Sequence, residues 1–130
     1  KHKANTEAAD NNGNTVLILA VINNHSTAVE LLLKHKANTE ATNNDGYTAL
    51  ILAAGKGHST AVELLLKYKA NIDTTDNDGV TALIWAVNKG YSTVVELLLK
   101  YKPNIEAADN NGMTALIWAM DVGHLQAVQL

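Results

Sequence analysis

The sequence predicts an all-α solenoid in which antiparallel helix pairs stack side by side and β-turns project along one edge. Three observations lead there. Gly13, Gly46, Gly79 and Gly112 recur every 33 residues, and Thr15, Thr48, Thr81 and Thr114 follow them two positions later. A fixed period of that length decides an architecture before any secondary structure is assigned. Within each period the apolar residues fall at helical spacing, and the chain of 130 residues contains a single proline to interrupt them. The register divides one repeat domain, 1–130, into the end of a unit at 1–9, full units at 10–42, 43–75 and 76–108, and a partial unit at 109–130.

Each unit opens with turn chemistry. In Asp10-Asn11-Asn12-Gly13 the Asx side chains bond their own backbone and glycine accepts positive φ. Thr15 is placed to cap a first helix, whose buried stripe is Leu17, Ala20 and Val21 at i, i+3 and i+4. That helix ends near Asn24, Gly57, Gly90 and Gly123, residues that tolerate a left-handed conformation. A second helix follows at once. Ser26-Thr27 begins it, with Thr27 and Glu30 at the spacing of a capping box, and the serines Ser59 and Ser92 recur at the same place. Its body, Ala28-Val29 and Leu31-Leu32-Leu33, is apolar nearly all round and so predicts a helix sandwiched between its neighbours. Glu30, Glu63 and Glu96 stand four residues before Lys34, Lys67 and Lys100, the favourable order for solvated helical pairs.

These residues resemble the ankyrin repeat, a β-turn followed by two antiparallel helices. The family's threonine-proline-leucine-histidine opening reads Thr48-Ala49-Leu50-Ile51, its alanine pair is Ala53-Ala54, its glycine-histidine is Gly57-His58 and its double leucine is Leu65-Leu66. The resemblance covers the whole chain. The departures are equally regular. The proline is replaced by Val16, Ala49, Ala82 and Ala115, and the histidine by Ile18, Ile51, Ile84 and Ile117, which exchanges pre-organisation and a polar contact for burial. The glycine that usually follows the second helix is Lys36, Lys69 or Lys102. A left-handed lysine is strained, so a different helix ending is expected there. The family's late asparagine, hydroxylated in many members, is Glu40, Asp73 and Glu106, so that modification does not carry over.

Composition narrows function. All ten basic residues are lysine and the formal charge is −3, which argues against a grip on nucleic acid. No run approaches the roughly 18 uncharged apolar residues of a membrane span. With no cysteine there is neither a disulfide framework nor a thiolate metal site, and an intracellular location, cytoplasmic or nuclear, is expected. His25, His58 and His124 share one slot and His2 and His35 another, but stacked units about 10 Å apart cannot bring them to one ion. No metal site, cofactor or enzymatic activity is expected. The serines recur as helix starts, which suits capping rather than a single nucleophile.

The sites are sought where units differ, because slots filled alike maintain the stack and unlike slots are free to serve a partner. In the turn that slot holds Asn14, Tyr47, Val80 and Met113, flanked by Asp45 and Asp78. On the first helix the unlike residues are Ile22, Asn23, Gly55, Lys56, Asn88, Lys89, Asp121 and Val122. In the ankyrin family these turn tips and first helices line the concave face, so the resemblance implies a protein-protein interaction module binding a protein partner there. Tyr47, Val80 and Met113 are expected as an exposed apolar stripe. Trp85 and Trp118, in the slot of Leu19 and Leu52, are expected in the core, with edge-to-face stacking or a partner surface as the other readings. The other functional reading is a structural or engineered scaffold with no dedicated partner, since Val62–Lys67 and Val95–Lys100 are identical in sequence. At the ends, Ala127, Val128 and Leu130 suggest uncapped apolar faces, which fit a segment of a longer array or end-to-end self-association.

Overall fold

The computed structural model describes residues 7–122, and the side chains of all of these except Asp121 and Val122. Its helices are α1 (Val16–Ile22), α2 (Ser26–Lys34), α3 (Ala49–Lys56), α4 (Ser59–Lys67), α5 (Ala82–Lys89), α6 (Ser92–Lys100) and α7 (Ala115–Val122). Odd-numbered helices pack on one another in an inner layer, even-numbered helices in an outer layer, and each inner helix packs on the outer helix that follows it where one is described. Among the described residues the only β-structure is isolated bridges, Ala9 with Thr15, Thr75 with Thr81 and Ala108 with Thr114, at the necks of the projecting turns. The all-α solenoid expected from the period is the observed fold.

Every inner helix is started by its threonine. The hydroxyls of Thr15, Thr48 and Thr81 accept the backbone N–H of Ile18, Ile51 and Ile84 at 3.2 Å, and Thr114 accepts that of Ile117 at 3.3 Å. The isoleucines that replace the family's histidine are driven inward: Ile18, Ile51 and Ile84 are fully buried, each contributing about 1.5–3 kcal/mol of burial. The core runs continuously from Leu17 and Val21 through Leu50, Leu65 and Leu66 to Leu83, Val94 and Leu98.

The outer helices depart from expectation in three ways. They lack side-chain caps: His25, His58 and Tyr91 occupy the cap positions of α2, α4 and α6 without a side-chain bond, so Ser26, Ser59 and Ser92 lie inside the first turn and the Thr27–Glu30 capping box does not form. The reason is register, since only one residue separates the left-handed Asn24, Gly57 or Gly90 from the helix. Nor are they covered all round, for Leu31 is 52% exposed while α4, packed between α2 and α6, buries Ala61, Val62, Leu65 and Leu66.

Third, the lysines after the outer helices do adopt the left-handed conformation, with φ of 66° at Lys36, 71° at Lys69 and 56° at Lys102. The backbone closes there in the Schellman pattern: Lys36 N–H donates to Leu33 O, and Ala37 N–H to Leu32 O, both at 3.0 Å. Lys69 and Ala70 repeat it on Leu66 and Leu65. Ala37 and Ala70 are buried, so the turn anchors the next segment to the core and outweighs a lysine penalty of about 1–2 kcal/mol. Pro103 has no N–H to give, and the third such turn keeps the Lys102-to-Leu99 bond at 3.1 Å.

Two polar ladders hold the units in register. At the turn tips, Asn44 N–H reaches Asn12 O at 2.9 Å and Asn110 N–H reaches Asp78 O at 2.9 Å, while the Asn44, Asn77 and Asn110 amides donate to Asn11, Asp45 and Asn77 carbonyls. At the other edge the carboxylates of Glu7, Glu40 and Asp73 accept the backbone N–H of Asn38, Asn71 and Asn104 in the following unit. Glu40 and Asp73 thus occupy the family's asparagine position and bridge neighbouring units.

Candidate protein-binding groove

Each turn is organised by one Asx side chain that accepts two backbone N–H groups. Asp10 serves Asn12 and Asn14, Asn43 serves Asp45 and Tyr47, Asp76 serves Asp78 and Val80, and Asp109 serves Asn111 and Met113, all at 2.9–3.1 Å. The second side-chain atom differs among them. Asn43 has an amide nitrogen there and donates to Asn14 Oδ1 at 3.0 Å. Asp76 and Asp109 have oxygens there, and each accepts an indole N–H, from Trp85 and Trp118 respectively, at 3.0 Å.

That exchange moves Trp85 out of the core where the sequence had placed it, while Trp118 keeps a packing contact with the core. Tied by its nitrogen to a turn carboxylate, Trp85 lies half-buried on the face formed by turns and inner helices, and Trp118 is half-buried likewise. The two indoles do not pair. Trp85 instead meets Tyr47 of the preceding unit edge-on, with ring centroids 6.1 Å apart at 75°, an arrangement favoured by the aromatic quadrupole. Lys89 Nζ lies 5.6 Å from the Trp85 centroid, in cation–π range. Together Tyr47, Ile51, Leu52, Gly55, Lys56, Trp85 and Lys89 line an open depression of about 170 Å³. Gly55 keeps it open, because even a Cβ at this position would touch the indole at 3.6 Å.

The rim is polar in two senses. Lys56 and Lys89, both exposed, stand on the last turns of α3 and α5, at the negative ends of those helices. At the opposite, turn side, Asp45 and Asp78 are exposed. Burial, then the charges of Asp76, Asp45 and Asp78, push the Tyr47 phenol above its ordinary range, so the acidic tips act on the depression itself. At Asp109 burial works to raise the carboxyl, but hydrogen bonds from Met113 N–H, the Trp118 indole and Asn111 N–H together hold it below the usual range.

The expected site residues separate accordingly. Tyr47, Lys56 and Lys89 come together at the depression, and the charges of Asp45 and Asp78 reach its Tyr47 wall from the turns. Val80 and Met113 are half-buried rather than openly exposed, as is Tyr47, and Ile22 and Asn88 are also half-buried. Asn14 is a correction: it is buried at 9% exposure and accepts the Asn43 amide, so its side chain serves the stack. Asn23 is exposed and returns its amide to Leu19 O at 2.9 Å. The side chains of Asp121 and Val122 lie outside the described residues, as do His2, His124, Ala127, Val128 and Leu130. The sequence reading gave Leu52 no part in the site and favoured the core for Trp85, with a partner surface as its other reading. A signal was present, for Asp76 and Asp109 each precede a tryptophan by nine residues whereas Asp10 and Asn43 precede leucines.

Among the described residues no group of three or more His, Asp or Glu side chains is arranged to hold a metal, and no helix is long and apolar enough to cross a membrane. A family model described as ankyrin repeats, three copies, matches residues 1–76 and 68–130. The chain belongs to the ankyrin-repeat family. No curated protein matches the sequence. Ankyrin repeats generally serve as protein–protein interaction modules.

Proposed function

We propose that this ankyrin-repeat chain binds a partner protein, without catalysis, through the face made by its turn tips and inner helices, with the depression between Tyr47 and Trp85 as its energetic centre. The observation that carries this is Trp85 itself. A large aromatic ring is held rigidly by an indole hydrogen bond to Asp76, yet it is left half-buried beside a second aromatic ring and an open apolar space. Rigid, part-desolvated aromatic anchors of this kind supply most of the energy in protein interfaces. Val80, Met113, Ile22, Asn23, Asn88, Asp121 and Val122 belong to the surrounding contact area in this reading.

The test is selection of binders from a displayed random-peptide library, followed by affinity measurement on the chain carrying Tyr47→Ala and Trp85→Leu. Losing two anchors is expected to weaken the selected peptides at least ~30-fold. Peptides that bind the altered chain as tightly as the native one would contradict the assignment of this face.

A further inference from the structure

Charges at its rim give the depression a chemical direction in addition to an apolar floor, and the specificity they imply rests on the partner-binding role proposed for this face. Its volume of about 170 Å³ compares with the ~150 Å³ of an engineered apolar cavity that holds one benzene, so there is room for one aliphatic or aromatic side chain. Opposite charges act on it from two sides: Lys56 and Lys89 line it at the helix ends, and the exposed carboxylates of Asp45 and Asp78, in the turns, act on its Tyr47 wall. The paired lysines coincide with the aromatic pocket. In the unit before, the slot of Lys56 is held by Asn23, whose amide is bonded to Leu19 O.

The helix sets the lower scale of that separation, since Asp45 and Asp78 stand in the turns four residues before α3 and α5 begin. The eight residues of α3 from Ala49 to Lys56 span about 12 Å. In an extended segment, residues i and i+4 lie about 13 Å apart, and i, i+2 and i+4 project from the same face. We propose that the Tyr47–Trp85 depression takes an apolar side chain from an extended segment of a partner protein, with a basic residue two positions to one side of it and an acidic residue two positions to the other. The basic residue faces Asp45 and Asp78. The acidic residue meets Lys56 and Lys89, and the cation already poised over Trp85 closes on it. Leu52 and Ile51 form the base against which the apolar anchor packs.

This pattern is distinguishable from simple charge attraction. The chain carries a formal charge of −3, so unspecific electrostatics favour a doubly basic peptide over a dipolar one. The experiment compares end-blocked peptides containing Lys-Ser-Leu-Ser-Glu, Lys-Ser-Leu-Ser-Lys, Glu-Ser-Leu-Ser-Glu and the compressed Ser-Lys-Leu-Glu-Ser. The indole N–H resonance of Trp85 is followed, assigned with the Trp118→Phe variant. The dipolar peptide is expected to shift that resonance saturably and to bind ~10-fold more tightly than the other three, an advantage of the size exposed charge pairs provide and one that shrinks as salt rises. Replacing Lys56 and Lys89 together with Ala is expected to erase the advantage while lowering the unfolding midpoint only slightly, through the lost helix-end and cation–π contacts.

A doubly basic peptide that binds as well as the dipolar one, a Lys56→Ala/Lys89→Ala chain that keeps the preference, or no shift of the Trp85 resonance at ~1 mM dipolar peptide each overturns the proposal. Library-selected peptides that depend on Trp85 but are indifferent to Lys56 and Lys89 leave the broader binding role in place and remove only this one. Selected peptides indifferent to Trp85 remove both.

Discussion

The junction between the first two full units and the junction between the second and third are built on the same backbone and end in different surfaces. At the first, Asn43 donates to Asn14, Asn14 is buried, and Leu52 occupies the inner-helix slot. At the second, Asp76 accepts from Trp85, and Tyr47, which holds the slot of Asn14, faces that indole from the preceding unit. The Asx oxygen that accepts two turn N–H groups is common to both, so it maintains the fold. The atom beside it decides between a closed amide bridge and a fixed aromatic wall. One nitrogen-to-oxygen exchange in a turn is therefore coupled to what the face presents.

The strongest way to break this comparison is Asp76→Ala. It removes the acceptor of three donors at a buried site, Asp78 N–H, Val80 N–H and the Trp85 indole, and is expected to destabilise by about 3 kcal/mol in urea unfolding. Asp10→Ala, which strands two donors at an exposed turn, should lower stability by only about 1 kcal/mol. Equal effects would show that the indole bond adds nothing. A finer cut is the double-mutant cycle of Asp76→Asn and Trp85→Leu. Asp76→Asn alone can set an amide N–H against an indole N–H, whereas the pair together resembles the Asn43–Leu52 arrangement. A favourable coupling of about 1 kcal/mol is predicted, and adding Tyr47→Asn should recover stability further by supplying the acceptor that Asn14 provides at the first junction.

Away from the groove, Lys69→Gly relieves a left-handed lysine whose turn bonds are otherwise complete. It should raise stability by about 1 kcal/mol and leave peptide binding unaltered, with the denaturation midpoint and a binding isotherm as the two readouts. The smallest effect is alkaline. The folded-state Tyr47 phenol is raised, so the unfolded chain ionises first. The stability this contributes is complete below the unfolded value near 10, and is lost as pH rises through the folded value. Tyr47→Phe should remove that alkaline loss, and Asp45→Asn with Asp78→Asn should reduce it, as read from unfolding midpoints across the alkaline range.

Much of the fold was legible because it depends on patterns that repeat: the 33-residue glycines, the capping threonines and the inward Ile18, Ile51 and Ile84 stand where their spacing placed them, whereas Ile117, in the same slot of the last described unit, is exposed. The outer-helix endings were not, because residue preference there is overruled by the closing hydrogen bonds and the buried Ala37 and Ala70 that follow. At the site, Tyr47, Lys56 and Lys89 were legible as slots that differ between units. Trp85 was not, since its size argues for the core and its position is set by a bond to Asp76, nine residues away in a different element. The burial of Asn14 was hidden for the same reason, as its partner Asn43 lies in the next unit.

The most direct test of the central claim is backbone amide hydrogen exchange of the native chain with and without a tightly binding library-selected peptide. Slowed exchange confined to the turn and inner-helix segments around Tyr47–Lys56 and Val80–Lys89 is the predicted result. Slowed exchange centred instead on the outer-helix edge at Lys34–Lys36 and Lys67–Lys69, with the Trp85 segment unchanged, would contradict it.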